Sequence, residues 1–239
     1  MTMNPFAARP RPMARSLRAL AWLLRYPDAE LRSLAPALAA ALREEGALGP
    51  ARLAELDGLA VRLAAPDGMR TESDYVELFD RGRRTALHLF EHVHGDSRDR
   101  GQALVDLVQT YERSGLVMTP GELPDYLPMV LEFASTQPPE QARAFLAETA
   151  HIVRAIFTAL AERASPYASV LAAVLDLAGE HAARVELAAE PPLDESWAEP
   201  EAFGGCDSRG QSRPNEPQPV HIVRPDKGAP RAAGRGAIP

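Results

Sequence analysis

Residues 146–160 read LAETAHIVRAIFTAL, and in them Leu146, Ala150, Val153, Phe157 and Leu160 recur at alternating intervals of four and three. That interval keeps apolar side chains on one face of a helix with 3.6 residues per turn. The same stripe appears in Leu17, Leu20, Ala21 and Leu24, in Leu104, Leu107, Val108 and Tyr111, and in Leu171, Val174, Leu175 and Ala178. No stretch alternates convincingly with period two, so the spacing predicts an all-α fold of eight or nine helices. Asp28 is expected to cap one helix. Thr71, with Asp74 three residues on, forms a capping-box pattern for another, and Asp96 or Ser97 is expected to cap the next. Gly46, Gly95 and Gly115 read as C-terminal stops. Pro27, Pro50, Pro66, Pro120, Pro138 and Pro166 fall between segments or in first turns, whereas Pro36 is expected to split or kink its segment. A Pro-rich joint at 116–128 is expected to divide an N-terminal from a C-terminal helix set.

From residue 186 to the end the aliphatic period is lost, and nine prolines and six glycines accumulate. The chain therefore divides into a flexible 1–12, a helical domain at 13–185, and a largely disordered tail at 186–239. With 46% apolar residues among 239, the domain has enough material for a core. The net charge is −7, and the 26 basic residues are scattered among 33 acids, which argues against nucleic acid as the partner. Arg9, Arg11, Arg15 and Arg18 precede the apolar run Leu17 to Leu24, but Arg25-Tyr26-Pro27-Asp28 closes it early, so it reads as a first helix and not as a targeting segment. No uncharged apolar stretch approaches the roughly 18 residues of a membrane span. The single cysteine, Cys206, forms no intrachain disulfide, and a cytoplasmic location is expected.

The densest polar constellation is His88-Leu89-Phe90-Glu91-His92-Val93-His94, whose first five residues spell H-x-x-E-H. On a helix, His88 and His92 would share a face and could grip zinc, with Glu91 as base and Glu162 as a further ligand. The alternative is hydrogen bonding at a helix end. There is no G-x-S-x-G and no G-x-x-x-x-G-K, and the sole lysine is Lys227, so Walker-type ATP chemistry is excluded. A second cluster, Glu122-Leu123-Pro124-Asp125-Tyr126-Leu127-Pro128, places two prolines and two acids where a cleft between helices could open.

Residues 75–103, from Tyr75-Val76-Glu77-Leu78-Phe79-Asp80-Arg81-Gly82-Arg83-Arg84-Thr85 through the histidine cluster to Asp99, Arg100 and Ala103, resemble the hallmark segment of the NarJ-type nitrate reductase assembly chaperones. Residues 122–128 resemble the second signature of the wider TorD and DmsD superfamily of redox-enzyme maturation proteins. Trp22 to Pro27 and Trp197-Ala198-Glu199-Pro200 extend the resemblance to about residues 13–205. It implies a TorD-like helical chaperone and not an enzyme. Such a chaperone binds the N-terminal segment, and a second site, of the nitrate reductase catalytic (alpha) subunit, or of a related molybdoenzyme. It keeps its client competent for molybdenum cofactor insertion and is absent from the finished complex. No cofactor or metal is expected to be held stably, the client's molybdenum cofactor is expected to be contacted transiently, and the protein is expected to be a monomer or weak homodimer without membrane insertion.

On this reading Tyr75, Leu78, Phe79 and Leu89 line a groove for the apolar face of an amphipathic peptide. His88, Glu91, His92, Glu122, Asp125 and Tyr126 supply its polar contacts, and the acids steer basic residues. The histidines, of a type that titrates near neutral pH, would make binding pH-dependent. Arg83, Arg84, Asp99 and Arg100 are expected to form salt bridges of structural or functional use. The enzyme alternative is a zinc hydrolase using His88, Glu91 and His92, and a general adaptor is the third class. Val220, Ile222 and Val223 form a short apolar patch in the tail.

Overall fold

The computed structural model describes residues 12–94, 98–118 and 121–187, and in these it is helical. The expectations for Gly95, Asp96, Ser97, Pro120 and the stretches 1–11 and 188–239 fall outside the described residues. The helices are α1 (Ala14–Leu23), α2 (Ala29–Glu45), α3 (Pro50–Leu63), α4 (Gly68–Tyr75), α5 (Glu91–His94), α6 (Arg98–Arg113), α7 (Leu127–Thr136), α8 (Pro139–Glu162) and α9 (Ala168–Ala178). Helix α1 is central: Leu17, Leu20, Ala21 and Leu24 have no exposed surface, and the helix packs against α7, α2 and α9. Helix α8 runs along α9, whose Leu171, Val174, Leu175 and Ala178 are all buried. Among the described residues α8 alone is long and apolar enough to cross a membrane, and here its apolar stripe is built into the core.

Because α1 packs on both α7 and α9, the connection before α7 does not separate two helix sets; the expected division at 116–128 gives way to one shared core. Asp28 caps α2 as its position predicts, accepting from the Leu31 N–H at 2.8 Å. Pro36 does not split α2, which runs unbroken through it. Pro36 lies on the exposed side, where water can serve the carbonyl it deprives. Leu31, Ala35, Ala39 and Leu42 stay buried on both sides of it, and their packing outweighs a cost of about 3 kcal/mol. Thr71 is not a cap. Asp67 accepts from the Arg70 N–H at 3.1 Å and starts α4, while the Thr71 hydroxyl donates back to the Asp67 carbonyl. Gly46 ends α2 in the left-handed region at φ 64°.

Helix α8 ends differently. Ala164 takes the left-handed conformation at φ 50°, and the next N–H, of Ser165, reaches back to the Leu160 carbonyl at 2.9 Å. That conformation costs an L-residue about 1–2 kcal/mol. Glycine would relieve it, at some cost in unfolded-chain entropy. Ala164→Gly is therefore expected to stabilise the protein by about 0.5–1 kcal/mol, read as a melting temperature about 1–4 °C higher by circular dichroism. An unchanged or lower melting point would refute this.

Candidate functional site

Helix α4 does not stop at Tyr75 but widens into a π-helical turn over Val76–Asp80. Such turns re-aim the side chains that follow. The chain then reverses at Gly82, where the buried Thr85 hydroxyl lies against the carbonyls of Leu78 and Gly82, the latter at 3.0 Å. Beyond this reversal His88 pairs antiparallel with Tyr126. The Leu127 N–H donates to the Leu87 carbonyl at 2.8 Å, and the Leu89 N–H donates to the Asp125 carbonyl at 3.0 Å. The two signature stretches read in the sequence are therefore fastened to each other.

Asp125 secures the fastening with its side chain. It has no exposed surface, accepts from the Phe90 N–H at 3.1 Å, and faces His88 Nδ1 at 3.5 Å. Burial pushes its pKa up. The bonds from His88 and the Phe90 N–H, with the charges of His88 and Arg100, outweigh that and hold the carboxyl below the usual aspartate value. The Tyr111 hydroxyl donates to the Pro124 carbonyl at 2.8 Å, tying the end of α6 to the same stretch.

The aromatic residues of the hallmark form a cluster. Tyr75 lies 4.7 Å from Phe79, Phe79 lies 5.0 Å from Tyr167, and Tyr26 meets the Tyr75 ring edge-on at 5.7 Å, all between centroids. The Tyr75 hydroxyl donates to the Leu24 carbonyl at 2.8 Å and lies 3.5 Å from the Tyr126 hydroxyl. Burial drives the Tyr75, Tyr111 and Tyr167 phenols well above the usual tyrosine value, so all three stay protonated.

Several expected groove residues sit elsewhere. Leu89 is a core side chain with 1% of its surface exposed, and Tyr75 and Phe79, at 5% each, offer only their edges. Leu78 is half-buried against the core. Asp125 faces inward and cannot meet a client's basic residue. Glu122 is exposed, and Glu91 pairs with Arg100 at 3.0 Å. Of the four residues expected to form salt bridges, Arg100 does so with Glu91, Arg83 and Asp99 are exposed, and Arg84 is half-buried. The H-x-x-E-H string is not helical throughout: α5 begins only at Glu91, and His88 belongs to the bridge. The His92 ring donates from Nε2 to the Ala86 carbonyl at 2.8 Å, while His88 turns to Asp125. The two rings thus have separate partners, which removes the shared face that zinc ligation requires. Among the described residues no group of three acids, histidines or cysteines could hold a metal.

Two clefts open beside this scaffold. The smaller, about 300 Å³, is lined by Tyr26, Tyr75, Phe79, Asp80, Leu87, His88 and Tyr126. The larger, about 770 Å³, lies between α1, the connection after α6, and α7, and shares Tyr26 and Tyr126 with the first. Its walls include Arg18 and Trp22 from α1 and Arg25 just past its end, with Met129, Glu132 and Phe133 from α7. Apart from Trp22 and Arg25, which lie in the resembling stretch Trp22 to Pro27, the sequence alone does not assign these residues to a site. One signal was present: Trp22 lies off the Leu17, Leu20, Leu24 stripe, an aromatic side chain on the wrong face for the core.

Comparison with known proteins places this geometry. Residues 27–173 match the family model described as "Nitrate reductase delta subunit". The nitrate reductase molybdenum cofactor assembly chaperone NarJ of Escherichia coli K12 is 43% identical over 157 residues, 65% of this chain and 66% of NarJ, so the match spans just under two thirds of that relative. The same organism's NarW, named as a candidate chaperone of the same kind, is 38% identical over 163 residues, 68% of each chain. In fold alone, the chain is similar to a crystal structure described as a candidate redox enzyme maturation protein from Archaeoglobus fulgidus. The TM-score is 0.50 at 20% identity, covering 75% of this chain and all of that one.

Proposed function

Since this chain belongs to the nitrate reductase delta subunit family, by its match over residues 27–173, we propose that it is an assembly chaperone for a respiratory nitrate reductase and not an enzyme. It holds the N-terminal segment of the catalytic (alpha) subunit in the cytoplasm and keeps that subunit open for molybdenum cofactor insertion. It then leaves, and forms no part of the finished complex. The observation that carries this reading is the fastening of the two signature stretches, at His88 and Tyr126, beside an open apolar cleft. A site built to bind and release a segment needs a rigid frame and an accessible apolar surface, and the bridge supplies the frame. Contact with the client's molybdenum cofactor is transient, and a second contact lies on the folded part of the subunit.

The test is calorimetric titration of the full chain with a synthetic peptide of the N-terminal segment of the organism's own catalytic subunit. A scrambled peptide and the corresponding segment of a related molybdoenzyme serve as controls. Binding of the first peptide alone, micromolar or tighter and thus about −8 kcal/mol or better, is the expected result. Equal affinity for the scrambled peptide would reduce the chain to a general apolar binder, and no binding would remove the N-terminal segment as its target.

A further inference from the structure

The larger cleft is more specific in its charges than its apolar lining suggests. Arg18 and Trp22 stand at i and i+4 on α1, Arg25 follows just past its end, and all three line the cleft. The Arg25 guanidinium lies 4.5 Å above the Trp22 ring, a cation–π contact that holds the charge at the rim. The acids come from elsewhere: Glu132 from α7 and Glu122 from the connection. Among the described residues none of these four charges makes an ion pair, whereas Arg15, Arg43 and Arg52 on neighbouring surfaces each do. The lining also includes Trp22, Met129 and Phe133, with Val117 91% exposed.

We infer that this cleft selects its occupant by charge: it takes one amphipathic helix of the client whose apolar stripe enters the floor, with acidic residues on the flank facing α1 and basic residues on the flank facing α7. The inference rests on the reading that the chain holds the catalytic subunit's N-terminal segment, and it names the chemistry of that segment and the residues that read it. A helix fits and a strand does not. The α1 and α7 walls are helices whose backbone groups are already bonded, and the described residues offer only a single bridge in place of a sheet edge an extended peptide could join. A volume of about 770 Å³ suits several large apolar side chains, not a whole helix. The occupant therefore lies along the cleft and inserts residues one turn apart. Met129 adapts the floor to branched or aromatic anchors.

The experiment titrates the full chain with the synthetic N-terminal peptide of the catalytic subunit, in wild type and two charge-reversed forms, Glu132→Arg and Arg18→Glu with Arg25→Glu. Circular dichroism checks that each is folded, and Glu132→Gln, which keeps the side chain's shape, covers the case in which the reversal misfolds. Each reversal is expected to weaken binding tenfold or more, with Glu132→Gln between it and wild type. A peptide whose basic flank is changed to glutamate is expected to bind wild type poorly and to regain at least fivefold on Glu132→Arg. Folded reversal variants that bind within twofold of a wild type that itself binds would overturn charge selection and leave the client reading standing. A wild type that does not bind the peptide would overturn both.

Discussion

Gly82→Ala is expected to destabilise the protein by about 2–3 kcal/mol, the upper part of the range for overpacking a buried site. The backbone at Gly82, φ −92° and ψ 96°, is one that any residue can adopt, so the cause is space and not conformational freedom. A Cβ there would press into the Thr85 hydroxyl and the Leu78 carbonyl, and would lie 3.1 Å from an Arg163 guanidinium nitrogen. The arginine end can swing away. The other two cannot, because Thr85 is held by its bond to that same carbonyl and the carbonyl belongs to the π-helical turn. Relief requires moving the reversal that delivers Leu87 and His88 to their bridge with residues 126 and 127. Urea denaturation checks this against Gly101→Ala, where an added Cβ meets open space within α6 and should stabilise by up to about 1 kcal/mol. Equal midpoints for Gly82→Ala and wild type would show that the reversal is not tightly packed.

Helices α1, α8 and α9 were legible because each carries an unbroken stripe whose burial is decided by its own period. The Thr71 cap gives way because Asp67, four residues earlier, offers the same kind of side-chain acceptor and starts the helix there. The stripe on α6 follows the right period, yet Leu104, Leu107 and Val108 are only half-buried, since period alone does not say whether a partner helix is there. Leu89 and Asp125 were placed in the groove as an apolar wall and a steering acid. Both are interior because stretches some 35 residues apart pair backbone to backbone, which no local pattern announces. A cleft is expected at residues 122–128, and Glu122, Tyr126 and Pro128 do line the larger one; its α1 wall is not legible, because Arg18 and Glu132 lie on different helices and only the packing of α1 on α7 puts them on one surface.

Asp125→Ala is expected to cost about 2–4 kcal/mol, since it strips the Phe90 N–H of its acceptor and leaves His88 facing an emptied site in the interior. Asp125→Asn keeps an oxygen for that N–H and loses only the charge, and is expected to cost roughly half as much. The pH dependence separates charge from shape. The folded carboxyl titrates below its unfolded value of about 3.9, so its contribution is fully present above that pH and is lost as the pH falls through the folded value. The stability gap between wild type and Asp125→Asn should therefore be open above the unfolded value and close as the pH falls through the folded one. A gap that stays open in acid would mean that Asp125 acts by shape and not as an anion. Because Tyr126 follows Asp125 and lines both clefts, a loosened bridge should also weaken peptide binding in a variant that is still folded. A loss of affinity at pH 7 that outruns the loss of stability would place Asp125 as the residue that turns a fold contact into a positioned wall of the cleft.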